Sequence, residues 1–104
     1  MKEQNEISLI KGLLEDKKAS EIKVYNVGKI TELWEYFIIC TGTSAPHIGS
    51  IYSGLEKGLK EAGLGTARRD VRGGHKWVVV DLGNVLVHIF DRETRAFYAL
   101  EKLW

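Results

Sequence analysis

The chain contains one cysteine, Cys40, so an internal disulfide is ruled out. Cys40 lies inside an apolar run rather than an electropositive turn, which predicts a buried, inert thiol and gives nucleophilic catalysis no starting point. The three histidines, His47, His75 and His88, show no short-range ligand spacing and no CxxC accompanies them, so neither a metal nor a cofactor is expected. Glycine-rich GxGxxG and P-loop patterns are missing as well. No apolar run approaches the ~20 residues needed to cross a bilayer, so no membrane role is expected. An excess of one charge is also lacking. Fifteen Lys and Arg against 14 Asp and Glu leave a net charge of +1, which provides no general attraction to nucleic acid or anionic lipid. The first six residues, Met1 to Glu6, carry two acids and no apolar segment, so no signal or transit peptide is expected and a cytoplasmic location is the default.

What is present suits one folded domain spanning residues 1–104, with 44% hydrophobic and 28% charged residues. Two β-rich runs, Trp77 to Leu82 and Val85 to Phe90, are separated only by Gly83 and Asn84, a loop suited to a type II′ hairpin turn. Pairing Leu82 with Val85 fixes the register and sorts the side chains into two faces. Val78, Val80, Leu82, Val85, Val87 and Ile89 form an aliphatic face. The opposite face sets Trp77 across from Phe90, Val79 across from His88 and Asp81 across from Leu86. Aromatics mixed with a few polar groups are the composition of an interface centre, which points to a binding module.

Apolar residues at helical spacing, Ile7, Ile10 and Leu14, predict a helix over 6–18. Ile22, Val24 and Val27 alternate with polar residues as in a half-buried strand that Gly28 ends. Tyr36 to Thr41 is apolar on both faces and reads as a central strand. Ser44 is placed to cap a helix with Pro46 in its first turn, and Ile48, Ile51, Tyr52, Leu55 and Leu59 form its apolar stripe. Gly49, Gly54 and Gly58 weaken that helix by up to about 1 kcal/mol each, which predicts a compensating close approach to a neighbouring backbone. Gly63 is placed to end it in the left-handed conformation. A strand over 66–71 precedes the hairpin, and Asp91 caps a last helix with Phe97, Leu100 and Trp104 on one stripe and Arg95, Tyr98 and Glu101 facing elsewhere. This order predicts an α/β domain of α+β character, with a mixed sheet of about five strands and three helices. Three helices cover one sheet face and only part of the other, so an exposed patch around Trp77 and His88 is expected.

The chain resembles the ribosomal silencing factor, or iojap-like, family over nearly its whole length. The similarity is carried by Leu14 to Ile22, by Tyr36 to Ser44 with His47, by Trp77 to Gly83 running on to Val87-His88-Ile89-Phe90, and by Arg95 to Trp104. The resemblance implies a nucleotidyltransferase-like topology without that activity, usually as a homodimer. It also implies a translation repressor that binds the large ribosomal subunit through a ribosomal protein on the intersubunit face and sterically blocks joining of the small subunit. Two positions depart from the family pattern. Pro46 stands where the family often has Arg or another polar residue, and Asp70-Val71 where it usually has Glu-Gly, so no family role is carried onto residues 45–47 or 70–72.

The candidate contact residues are therefore Trp77, Val79, His88 and Phe90, bordered by Tyr98 and Glu101. Arg68, Arg69, Arg72 and Lys76 form a basic stretch beside Gly73-Gly74, which reads either as a solvated loop or as a segment near ribosomal RNA. The competing class is a nucleotidyltransferase that uses the Gly42-Thr43-Ser44 turn to cradle phosphates. That chemistry needs paired carboxylates for metal ions, yet the first acid after Ser44 is Glu56 and no Asp-x-Asp follows.

Overall fold

The backbone at Gly83 takes a φ of +94°, and Leu82 N–H donates to the Val85 carbonyl at 2.9 Å, so the chain reverses at the glycine-asparagine corner. The computed structural model describes residues 2–63, 68–72 and 77–98. The elements are α1 (Lys2–Asp16), β1 (Ser20–Asn26), β2 (Tyr36–Gly42), α2 (Ala45–Glu61), β3 (Arg68–Arg72), β4 (Trp77–Asp81), β5 (Val85–Asp91) and α3 (Arg92–Tyr98). The hairpin β4–β5 has the register the alternation requires, with Trp77 opposite Phe90, Val79 opposite His88 and Asp81 opposite Leu86.

The five strands lie in the order β1-β2-β5-β4-β3. β5 pairs antiparallel with β4 and parallel with β2, where Ile38 meets Val87 and Cys40 meets Ile89. Parallel neighbours need a long crossover, and here α2, β3 and β4 supply it. β1 and β3 form the two edges, each antiparallel to its neighbour. The α+β domain with a mixed sheet and three helices expected from the sequence is the one found.

The aliphatic face of the hairpin is the floor of the core. Val78, Val80, Val85, Val87 and Ile89 join Ile38 and Cys40 of β2 beneath Ile10 and Leu14 of α1 and the α2 stripe of Ile48, Ile51, Tyr52, Leu55 and Leu59. Each fully buried aliphatic side chain contributes about 1.5–3 kcal/mol, which is why these two helices settle on this face. α2 starts as its sequence dictates, with Ser44 Oγ accepting from His47 N–H at 3.2 Å and Pro46 in the first turn. It stops at Gly63, whose φ is +74°.

Three sequence expectations change in detail. The compensation at Gly54 and Gly58 is close packing against side chains of α1 and the turn that follows it rather than against backbone. A methyl group at Gly54 would lie 2.6 Å from Lys17 Cε, one at Gly58 would overlap the Leu13 isobutyl group, and one at Gly49 would meet nothing. α1 runs over Lys2–Asp16 instead of 6–18, because its end is set by Lys18 at φ +62° and not by a glycine. The strand expected over 66–71 occupies Arg68–Arg72.

Candidate functional site

The second face of the sheet gathers rings from three segments. Trp77 stacks on Phe90 with centroids 4.8 Å apart, and His88 lies 5.8 Å from Phe90 and nearly parallel to it. Phe37, from β2, reaches His88 at 5.1 Å, and Trp34, from the loop before β2, meets Phe37 edge-on at 5.8 Å. Strand alternation brings these side chains to one side, and the β2–β5 and β4–β5 registers bring them level. Aromatic pairs in these geometries contribute about 0.5–1.5 kcal/mol beyond the area they bury.

Polar handles orient the cluster. Trp77 Nε1–H donates to His88 Nδ1 at 3.1 Å, which makes Nδ1 the acceptor and assigns the ring proton to Nε2. Trp34 Nε1–H donates to Asp81 Oδ1 at 3.3 Å, and the same carboxylate oxygen accepts from Gly83 N–H at 2.9 Å. One side chain thus ties the hairpin turn to the loop that carries Trp34.

The structure brings Trp77, Val79, His88 and Phe90 together, but not as four exposed anchors. Phe90 is 1% exposed, His88 4% and Val79 8%, whereas Trp77 is half-buried. The exposed patch expected around Trp77 and His88 is therefore corrected. His88 and Phe90 form the floor on which Trp77 lies, packed by the neighbouring rings. Among the described residues, half-buried rings along this face include Trp77, Trp34 and Phe37, with Tyr25 opposite Phe37 in the register. Trp34 and Phe37 were not among the expected contact residues, although a tryptophan beside a polar loop is a usable signal. The side chain of Tyr98, those of Arg68, Arg69 and Arg72, and the whole of Lys76, His75 and Glu101 lie outside the described residues.

Arg95, expected only to lie off the Phe97, Leu100 and Trp104 stripe, is buried. Its Nη1 donates to the Glu21 carbonyl at 2.7 Å and to Thr41 Oγ1 at 2.9 Å, pinning α3 across β1 and β2. Glu21 has a φ of +51° and sits in the register shift between Ser20 and Lys23. The buried guanidinium holds that irregular strand segment in place. Nearby, burial pushes the Cys40 thiol up to about 12, against the opposing pull of the Arg95 charge.

In the Gly42-Thr43-Ser44 turn the Thr43 amide is committed within the protein. Thr43 N–H donates to His47 Nδ1 at 2.8 Å, His47 N–H donates to Ser44 Oγ, and Pro46 has no N–H to offer. His47 Nε2–H in turn reaches the Lys17 carbonyl at 2.7 Å, capping the end of α1. A phosphate cradle would need the Thr43 amide that His47 already occupies, and Ser44 acts as the cap of α2.

The domain thus has one sheet face packed by α1 and α2 and the other lined by stacked rings. The chain matches, over residues 1–104, the family described as ribosomal silencing factor during starvation. A ribosomal silencing factor from Halalkalibacterium halodurans is 36% identical over 104 residues, covering 100% of this chain and 89% of that protein. A mouse protein named mitochondrial assembly of ribosomal large subunit protein 1 is 30% identical over 102 residues, 95% of this chain and 45% of the longer mouse protein. A crystal structure of a protein from Chromobacterium violaceum superposes with a TM-score of 0.91 at 32% identity, covering 97% of this chain and 84% of that one. The chain belongs to the ribosomal silencing factor family. Among the described residues no helix is long and apolar enough to cross a membrane.

Proposed function

We propose that this protein is a non-enzymatic, cytoplasmic repressor of translation. It docks on the large ribosomal subunit through a ribosomal protein on the intersubunit face and keeps the small subunit from joining by occupying its volume. The observation that carries this reading is the half-buried Trp77, stacked on Phe90 and hydrogen-bonded to His88. An indole fixed in place while part of its surface meets solvent is the anchor type that dominates interface energetics. Family membership supports the ribosomal setting, and the name of the mouse relative supports the large subunit as the platform.

Within this reading Trp77 is the principal contact, Val79, His88 and Phe90 hold it from beneath, and Tyr98 and Glu101 border the face. Arg72 pairs with Trp77 and Arg68 with Asp81 in the backbone register, so β3 carries its three arginines along the strand beside the docking hairpin. Together with Lys76 they are assigned to ribosomal RNA near the docking site, a contact that weakens with added salt. The factor is assigned as a homodimer, which light scattering over a dilution series checks.

The deciding experiment is co-sedimentation with separated ribosomal subunits. The protein should pellet with large subunits and not with small ones, and Trp77→Ala should abolish pelleting while still unfolding cooperatively. A folded Trp77→Ala variant that pellets like the unmodified protein removes the assignment.

A further inference from the structure

The two large hydrophobic residues most open to solvent among the described residues belong to one loop: Ile30 is 59% exposed and Leu33 70%. A single exposed aliphatic residue is unremarkable, but these two precede Trp34, whose ring already joins the aromatic face through Phe37 and Asp81. The loop is held firmly. Val27 N–H donates to the Glu35 carbonyl at 2.9 Å, closing its neck, and the Val27 side chain is buried. Ile30 and Thr31 donate to the Val27 carbonyl at 2.9 and 3.0 Å, and Leu33 N–H donates to Thr31 Oγ1 at 3.1 Å. Glu35 and Tyr36 both donate to the Asn84 carbonyl in the hairpin turn. The aliphatic side chains are thus presented on a rigid support, which lowers the ordering cost of binding.

The charges around them are of mainly one sign. Within the loop Lys29 stands alone against Glu32 and Glu35, all three exposed. Such a rim repels phosphate and complements lysine and arginine.

We propose that the loop over 27–35 is a second half of the docking surface, with Ile30, Leu33 and Trp34 seating an apolar patch of a basic protein surface whose cations face Glu32 and Glu35. This rests on the large-subunit reading and specifies the partner chemistry there as basic protein rather than RNA. It makes the footprint continuous from Leu33 through Trp34 and Phe37 to Trp77.

The test measures affinity for purified large ribosomal subunits, with naked large-subunit RNA as the comparison probe. Ile30→Asp and Leu33→Asp alter exposed positions and should keep the unmodified unfolding midpoint. Each should weaken subunit binding by about ten-fold or more, and Glu32→Lys with Glu35→Lys should also weaken it, with the loss shrinking as salt is raised. If the unmodified protein binds subunits and Leu33→Asp binds within about two-fold of it, the loop lies outside the footprint and the inference fails while the docking reading stands. Tighter binding by the lysine variants, to subunits or to naked RNA, identifies phosphate as the neighbour and overturns it. Conversion of a dimer to a monomer by Leu33→Asp with subunit binding unchanged assigns the loop to a second copy and overturns it as well. No binding by the unmodified protein removes the docking reading first, and this inference with it.

Discussion

Trp77 and His88 are diagonal neighbours across the hairpin, joined by an indole N–H that donates to Nδ1 over 3.1 Å. The half-buried ring is oriented by the buried one. Trp77→Phe keeps the stacking on Phe90 but removes the donor, and should cost about 1–3 kcal/mol because Nδ1 is desolvated. Urea titration should show a lower midpoint at an unchanged slope. An unchanged midpoint would mean that stacking alone orients Trp77.

The end of α1 offers a stabilising change. Ala19 N–H donates to the Leu14 carbonyl and Lys18 N–H to the Glu15 carbonyl, a Schellman arrangement in which Lys18 occupies the left-handed position at φ +62°. A side chain there is strained by roughly 1–2 kcal/mol, partly offset by the backbone entropy that glycine would lose. Lys18→Gly should therefore raise stability by about 0.5–1 kcal/mol, visible as a higher melting temperature. A lower one would refute the strain argument.

Arg95 is expected to be structural. Removing a charged donor from one buried and one part-buried acceptor, as in Arg95→Met, should cost about 2–3 kcal/mol. Hydrogen exchange in β1 near Glu21 should accelerate more than in β4. The exposed Arg92–Glu21 pair, 4.0 Å apart, should by contrast be replaceable with little effect.

Cys40 gives a signed pH prediction. Its thiol is raised to about 12 in the fold against an ordinary value near 9.0, because burial disfavours the thiolate more than the Arg95 charge favours it. Between those values the unfolded chain has released the proton that the folded chain keeps, so stability falls as pH rises through the window from about 9 to about 12. Cys40→Ala should flatten that part of the pH profile while lowering stability at neutral pH through the cavity it leaves. A thiol reagent should react with the native protein only at the rate of unfolding.

Much of this was legible from residue types. Gly83-Asn84 fixed the hairpin register, and the register fixed both faces, because alternation leaves no freedom once one pair is set. Ser44 and Pro46 located the start of α2. The end of α1 was hidden, since Lys18 does by strain what glycine usually does without it. Arg95 was hidden for a related reason: a lone helix arginine reads as solvated until its acceptors, a strand carbonyl and Thr41, are brought in from distant parts of the chain. The site was half legible. Trp77, Val79, His88 and Phe90 were placed on one face by alternation, but how much of each remains open depends on Phe37 and Trp34, which the β2–β5 pairing delivers from another part of the sequence.

That pairing also governs the order of biosynthesis. β2 leaves the ribosome early and β5 late, yet they lie side by side at the middle of the sheet. Until translation has passed Asp91, β2 has no inner neighbour, Phe37 has no His88 beneath it and Trp77 has no Phe90 to lie on. The aromatic face is therefore among the last parts of the molecule that a nascent chain can complete.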